Sequence, residues 1–342
     1  MTGIINLQPP ITDTGSELEE INSSEFYGWP DILLGTENGE IYSISQNSRP
    51  RKLGEVEHDI MSIEASGNSI YVTSTRDQVQ SEESENYGSR LKAFTDQDTE
   101  TRSFDGPIHD LSVYNEKIYI TSKSAEGDAQ RGKIHILDST SLETIKEINL
   151  DEAYGIEISG NKLVGFGEDG AALTMDLDSD NVENRFKAGD WIGNVDIRDD
   201  RIYFASRREV NETITEDLIN TVSHGYISEH EINGDENFNI DLGITSSPHE
   251  INKFSDDEMI VSSATGDIKF INLSEREVMK EIETNDDLTK MIISGNKAYI
   301  VGKDKEKVYI VDLSRRVIER EVDIPGVNSI SQAGGLEFQN FQ

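Results

Sequence analysis

Three of the six histidines, each followed by an acid, fall where loops lead into candidate inner strands: His58-Asp59, His109-Asp110 and His249-Glu250. An imidazole beside a carboxyl can pass a proton near neutral pH, and three imidazoles gathered at one point can bind a metal. With Trp191, these residues are the candidates for a shared mouth. The same chain holds 67 acids, so acidic and histidine-bearing loop ends are also ordinary here. The expectation is therefore no catalytic residue, no metal and no cofactor. Asp176, Asp178 and Asp180 spell D-x-D-x-D. A calcium loop would continue with glycine and end on glutamate; here Asn181 and Lys187 stand in those places, so a polar hairpin turn is expected. G-x-S-x-G, H-E-x-x-H and P-loop motifs are absent from the sequence. The sequons at Asn22, Asn211 and Asn272 carry little weight, because glycosylation needs an exported or surface context.

What would position such residues is a repeat. Residues 296–326 (NKAYIVGKDKEKVYIVDLSRRVIEREVDIPG) contain three short strands of alternating polarity, and residues 288–295 (LTKMIISG) supply a fourth. The same order recurs upstream. The first apolar residue of the second strand falls at Ile32, Ile70, Ile118, Leu163, Ile202, Met259 and Ala298, a mean spacing of about 44 residues. Four strands per repeat of this length predict an all-β, seven-bladed β-propeller over residues 31–335. The unit marked by Ile32 has no inner strand before it, while residues 326–335 (GVNSISQAGG) give one inner strand with nothing after it. Three strands from one end and one from the other complete a blade, which pairs an edge that would otherwise stand open.

The segments 66–75 (SGNSIYVTST), 115–123 (NEKIYITSK), 159–167 (SGNKLVGFG) and 307–326 (KVYIVDLSRRVIEREVDIPG) resemble the YVTN family within the WD40-like superfamily of propellers. The resemblance implies the seven-bladed architecture and no activity, since the family has no shared catalytic motif and a fold does not fix a function. The Gly-His and Trp-Asp dipeptides of true WD40 repeats are missing; the two tryptophans are Trp29 and Trp191.

Three repeats are long, each between its second and third strands: residues 75–89, 124–132 and 207–225. In a propeller these connections share one face, and insertions gathered on one face point to binding. Glu82, Glu85, Tyr87, Arg131, Thr213, Leu218 and Ile219 are the candidates there. Thr213 to Glu216 reads as a capping box, with Ile214, Leu218, Ile219 and Val222 at helical spacing, so a short helix is expected. Residues 1–30 form an N-terminal extension and candidate assembly arm; residues 336–342 form a short tail.

The net charge of −36 repels phosphates, which argues against nucleic acid and anionic membranes. No apolar run approaches a membrane span, and no export signal is recognisable at the start. Cysteine is absent, which removes disulfides and thiolate chemistry. The acids are spread along the whole chain, as on proteins that work in concentrated salt, although lysine is not depleted as it would be in the extreme case. The reading is a non-enzymatic binding and assembly module of a halophilic system, as a virion or surface-appendage component. Its expected partners are protein, in a homo- or hetero-oligomeric assembly, with a cell-surface receptor as a further expectation. A cytoplasmic WD40-like scaffold and a propeller enzyme with a His/acid mouth are the alternatives.

Overall fold

The computed structural model describes residues 32–44, 49–67, 69–75, 88–95, 99–123, 132–215, 218–244 and 247–332. The N-terminal extension, the C-terminal tail and Glu82, Glu85, Tyr87 and Arg131 lie outside these residues. The chain forms seven four-stranded antiparallel sheets and, among the described residues, no helix.

Blade 1 contains β1 (Ile32–Thr36), β2 (Glu40–Ile44) and β3 (Arg51–Glu55). Blade 2 is β4 (Asp59–Ser66), β5 (Ser69–Thr75), β6 (Ser89–Phe94) and β7 (Thr99–Phe104). Blade 3 is β8 (Ile108–Tyr114), β9 (Lys117–Lys123), β10 (Gly132–Asp138) and β11 (Thr144–Asn149). Blade 4 is β12 (Ala153–Ser159), β13 (Lys162–Gly167), β14 (Ala171–Asp176) and β15 (Asn181–Lys187). Blade 5 is β16 (Trp191–Arg198), β17 (Arg201–Thr215), β18 (Leu218–Glu231) and β19 (Glu236–Ile244). Blade 6 is β20 (Pro248–Lys253), β21 (Glu258–Ser263), β22 (Asp267–Asn272) and β23 (Glu277–Glu283). Blade 7 is β24 (Leu288–Ser294), β25 (Lys297–Gly302), β26 (Lys307–Asp312) and β27 (Val317–Asp323).

The last strand, β28 (Val327–Gln332), pairs with β1 and becomes the inner strand of blade 1. Its register sets Leu33 opposite Ser331 and Leu34 opposite Ile330. Each inner strand packs against the next, and β28 meets both β4 and β24. The ring is therefore closed by strand pairing between the two ends of the repeat region, as the sequence predicts.

The core is seven clusters, one at each blade boundary. Strand alternation explains how one strand serves two of them. On β9, Ile118 and Ile120 join Leu91 and Leu111 against blade 2, while Tyr119 between them joins Ile156 and Leu163 against blade 4. Because both faces are covered, the second strands read as near-continuous apolar runs, and polar residues are left to the turns and outer strands.

Candidate functional site: the inner ring and its mouth

All seven inner strands carry a β-bulge at the same place, shown by the register shifts against their neighbours. The extra residues are Met61, His109, Tyr154, Gly193, His249, Thr289 and Asn328. A bulge adds one residue, bends the strand and re-aims the side chains next to it. Seven of them in register build a rim where the inner strands begin. His109 and His249 sit on this rim. His58 stands three residues before its own bulge residue, Met61, so the three His-acid pairs are not equivalent positions.

The two rim histidines are held apart by separate aromatic contacts. The His109 ring packs on Tyr154 with centroids 5.4 Å apart, and His249 packs on Trp191 at 5.5 Å. Burial, then the positive charge of Lys123, pushes His109 down to about 4. Burial likewise lowers His249. Both rings are neutral packing groups at neutral pH. Among the described residues, no three His, Asp or Glu side chains are placed to hold a metal ion. The D-x-D-x-D stretch is the expected hairpin turn: Asp176 Oδ1 accepts from the N–H and Oγ of Ser179, each at 2.9 Å, and Asp180 sits at φ 54° with its carboxylate 2.7 Å from Lys117 Nζ.

Below the rim, the inner strands alternate. Ile63, Leu111, Ile156, Val195, Ile251, Met291 and Ile330 each join the apolar cluster with the preceding blade. The residues between them are mostly polar and reach the following blade near the axis. The position after the bulge holds Ser62, Asp110, Gly155, Asn194, Glu250, Lys290 and Ser329. Two residues further on stand Glu64, Ser112, Glu157, Asp196, Asn252, Ile292 and Ser331. At Gly155 a Cβ would lie 2.1 Å from the Phe166 ring, so the aromatic side chain takes the place a polar group has in other blades.

These groups bind one another from blade to blade. Ser331 Oγ donates to Glu64 Oε2 at 3.1 Å, and Ser62 Oγ to Asp110 Oδ1 at 3.4 Å. The Ile156 N–H donates to Asp110 Oδ2 at 3.0 Å, so Asp110 ties blades 2, 3 and 4 together. Asn194 Nδ2 donates to Glu250 Oε2, and the Lys253 N–H to Asp196 Oδ2 at 2.6 Å. Lys290 Nζ lies 3.7 Å from Glu250 Oε1, and Gln332 Nε2 donates to the Ile293 carbonyl.

Burial near the axis raises Glu64, Glu157 and Glu250. Burial, then the nearby Asp110, pushes Glu64 up to about 8, against the pull of its Ser331 hydrogen bond. Glu250 rises to about 7 because burial outweighs the attraction of Lys290. Burial and then Asp196 raise Glu157 well above the usual carboxyl range. Burial opposes the charge of Lys290, yet Glu250, Asp110 and Tyr154 together hold its pKa above the ordinary value.

The insertions open at the same end as the rim. Thr75 pairs with both Asp59 and Ser89, and Lys123 pairs with Gly132 while Ser122 pairs with Ile108. Trp191, the first residue of β16, pairs with Arg207, and β17 and β18 continue past that point. The third insertion is thus a two-stranded ribbon, with Val210 opposite Val222 and Thr213 opposite Ile219. This corrects the expected helix: Thr213 and Leu218 lie in paired strands, not in a capped helical turn. The segment is rich in Val, Ile and Thr, and it inherits a running strand register from its blade, which outweighs a short helical pattern.

At the foot of the ribbon, the Arg207 guanidinium lies over the Trp191 ring at 4.6 Å, and the His249 ring of the next blade packs on the same indole at 5.5 Å. Gly193 is required here, since a Cβ would meet the Trp191 ring at 2.8 Å and the Pro248 carbonyl oxygen at 2.4 Å. A separate cavity of about 700 Å³ lies between blades 2 and 3. Its charged walls are largely matched: Lys133 Nζ sits 2.6 Å from Glu147, and Lys123 binds Glu152 and Glu168.

Glu64, Glu157, Asp196 and Lys290 escape a motif search because each stands alone in its own strand. The available signal is positional. Glu64, Glu157 and Asp196 each fall six residues before the apolar marker of the second strand, and only alignment of the repeats shows them as one column.

No family model matches the chain, and no curated protein matches it. Among solved structures, it is similar to the computationally designed Ika8 protein, at 11% identity and TM-score 0.61 over 88% of this chain and 86% of that one. It is also similar to the WD40 β-propeller domain of Doa1, at 12% identity and TM-score 0.59 over 87% and 89%. BamB from Moraxella catarrhalis matches at 9% identity and TM-score 0.49, over 80% and 91%. At 11% and 12% identity the likeness to Ika8 and to the Doa1 domain shows the fold alone, and the seven sheets of this chain make it a seven-bladed β-propeller.

Proposed function

We propose that this protein is a non-enzymatic binding and assembly module whose partner contact lies on the face where the inner strands begin. The observation that carries this reading is the division of labour around the channel. The ring carboxyls Asp110, Asp196 and Glu250 are bound across blade boundaries, which leaves them structural rather than free for acid–base chemistry. The rim presents half-buried Trp191 with Arg207 stacked on it, beside a ribbon that extends beyond the blade. Tryptophan, arginine and tyrosine are the residues that most often anchor protein interfaces.

Protein partners fit the use that many propellers make of a rigid, loop-bearing face. The finer setting is carried by charge: 67 acids against 31 bases suit concentrated salt, where screening relieves self-repulsion. We read the module as part of a halophilic virion or surface appendage, with receptor or subunit contact on the ribbon face. The same face would serve a cytoplasmic scaffold. The test is affinity enrichment in high salt with wild-type protein and a Trp191→Ala/Arg207→Ala variant of equal thermal stability. The expected result is a bound protein present with the former and lost with the latter. Identical enrichment by both baits, or turnover of a substrate at the rim, would overturn the reading.

A further inference from the structure

Three neighbouring strands of blade 3 bring a serine, a histidine and a glutamate together. Pairing sets His135 of β10 opposite Ile120 of β9 and Glu147 of β11, and Ser122 stands two residues beyond Ile120. Alternation therefore puts all three side chains on the face that Ile118, Ile120 and Leu137 turn toward blade 2. Ser122 Oγ lies 2.8 Å from His135 Nε2, and His135 Nδ1 lies 3.1 Å from Glu147 Oε1. All three residues line the cavity between blades 2 and 3. The His135 side chain is only 11% exposed, with the Phe104 ring edge-on to it at 5.3 Å.

These contacts decide where the protons sit. Burial lowers His135, opposed by Glu147 and helped by Lys133 and Arg102, so the ring is neutral at neutral pH and carries one N–H. Facing a carboxylate oxygen, that proton belongs on Nδ1. The approach to Glu147 is close but off the line of a full hydrogen bond, as is common before a substrate binds. Nε2 is then an acceptor, and Ser122 donates to it. A hydroxyl whose proton already points at a base, with that base oriented by a carboxylate, is the arrangement of an activated nucleophile.

We propose that Ser122 accepts one acyl group from an activated ester or thioester and keeps it. Ser122 Oγ attacks the acyl carbon while its proton passes to His135 Nε2. The Oγ–C bond forms, the bond to the leaving oxygen or sulfur breaks, and His135 hands its proton to that leaving atom. The product is an ordinary alkyl ester, and its cleavage by water needs donors for the developing oxyanion. The N–H and cations nearest the serine are already engaged. The Lys123 N–H donates to the Pro107 carbonyl at 3.1 Å, and Lys133 Nζ lies 2.6 Å from Glu147. Lys123 Nζ binds Glu152 and Glu168, and Arg102 donates to the Leu142 carbonyl and to Thr144 Oγ1. The acyl group therefore stays, and the site is one of covalent modification rather than turnover. It belongs to blade 3, whereas Trp191 and Arg207 belong to blade 5, so it stands or falls apart from the contact face.

The test is p-nitrophenyl acetate added to the whole chain, with nitrophenol release followed by absorbance and the acetyl group located by peptide mapping. The expected result is a single burst of about one equivalent, with a lasting acetyl on Ser122. Ser122→Ala is expected to abolish the burst, and His135→Gln to slow it by roughly 100-fold. In the wild type the burst rate should rise with pH and level off, with a midpoint below the ordinary histidine value of 6.5. Glu147→Gln removes the charge that favours imidazolium, so it should move that midpoint further down, which a merely structural role would not. Acetyl found only on lysines, or an unchanged burst in Ser122→Ala, would overturn the proposal. So would a midpoint unmoved by Glu147→Gln, or release that continues at the burst rate.

Discussion

Asp110, Glu250 and Lys290 are residue types that suggest catalysis, and each has a fixed partner across a blade boundary. Asp110 accepts from two blades, and Glu250 is bound by Asn194 and Lys290, so removing either leaves buried donors unmet. Glu64 accepts from Ser331, and its elevated value of about 8 is a cost of burial. Below pH 4.5 both folded and unfolded chains hold this proton; between 4.5 and 8 only the folded chain does, and stability falls by about 1.4 kcal/mol per pH unit. Glu64→Gln keeps an acceptor for Ser331 and removes the titration. Thermal melts should then show the variant gaining over wild type at pH 8 and matching it at pH 4; an equal difference at both values would contradict the assignment. Gly155→Ala drives a methyl into the Phe166 ring and is expected to cost roughly 1–3 kcal/mol in denaturant unfolding. The imidazole–acid pairs are visible in the sequence as chemistry, but their separation is not: it depends on bulge registers that place His109 and His249 on the rim and His58 off it.

At the scale of elements, the inner strand and the ribbon carry the account. The strands themselves are legible, because period-2 alternation and tight polar turns recur at every repeat. The ribbon is not, because Ile214, Leu218, Ile219 and Val222 fit a helical stripe and a strand pair equally until the pairing of β17 with β18 is known. Strand register here is inherited: Arg207 pairs with Trp191 and Gly225 with Gly243, so the ribbon begins where blade 5 has already satisfied its four strands. Replacing residues 208–224 by a short turn should therefore leave the melting transition in place and abolish partner binding. Loss of the cooperative transition in that deletion would show that the ribbon is part of the core. The ring column of Glu64, Glu157 and Asp196 is likewise hidden from motif logic, since it is spread over three blades at one residue each.

For the molecule as a whole, the charge and the closure make separate demands. Dispersed like charges repel, and salt screens them over a Debye length of about 3 Å at 1 M. The melting temperature is therefore expected to rise steadily as KCl is raised into the molar range, and a flat or falling dependence would remove the argument for a high-salt setting. Closure was legible because the count of strands left three at one end and one at the other; the register that joins them was not, and only β28 beside β1 supplies it. The chain has no cysteine, so a Leu33→Cys/Ser331→Cys pair gives an unambiguous report. Directly opposed antiparallel residues have Cα atoms about 4.5–5.5 Å apart, within disulfide range. Mild oxidation should form one intramolecular bond between these sites and raise the unfolding midpoint, by on the order of 5 kcal/mol if loop-entropy models hold. Thiols that stay free under oxidation, or that cross-link only between chains, would contradict the closed ring on which the shared rim and its contact face depend.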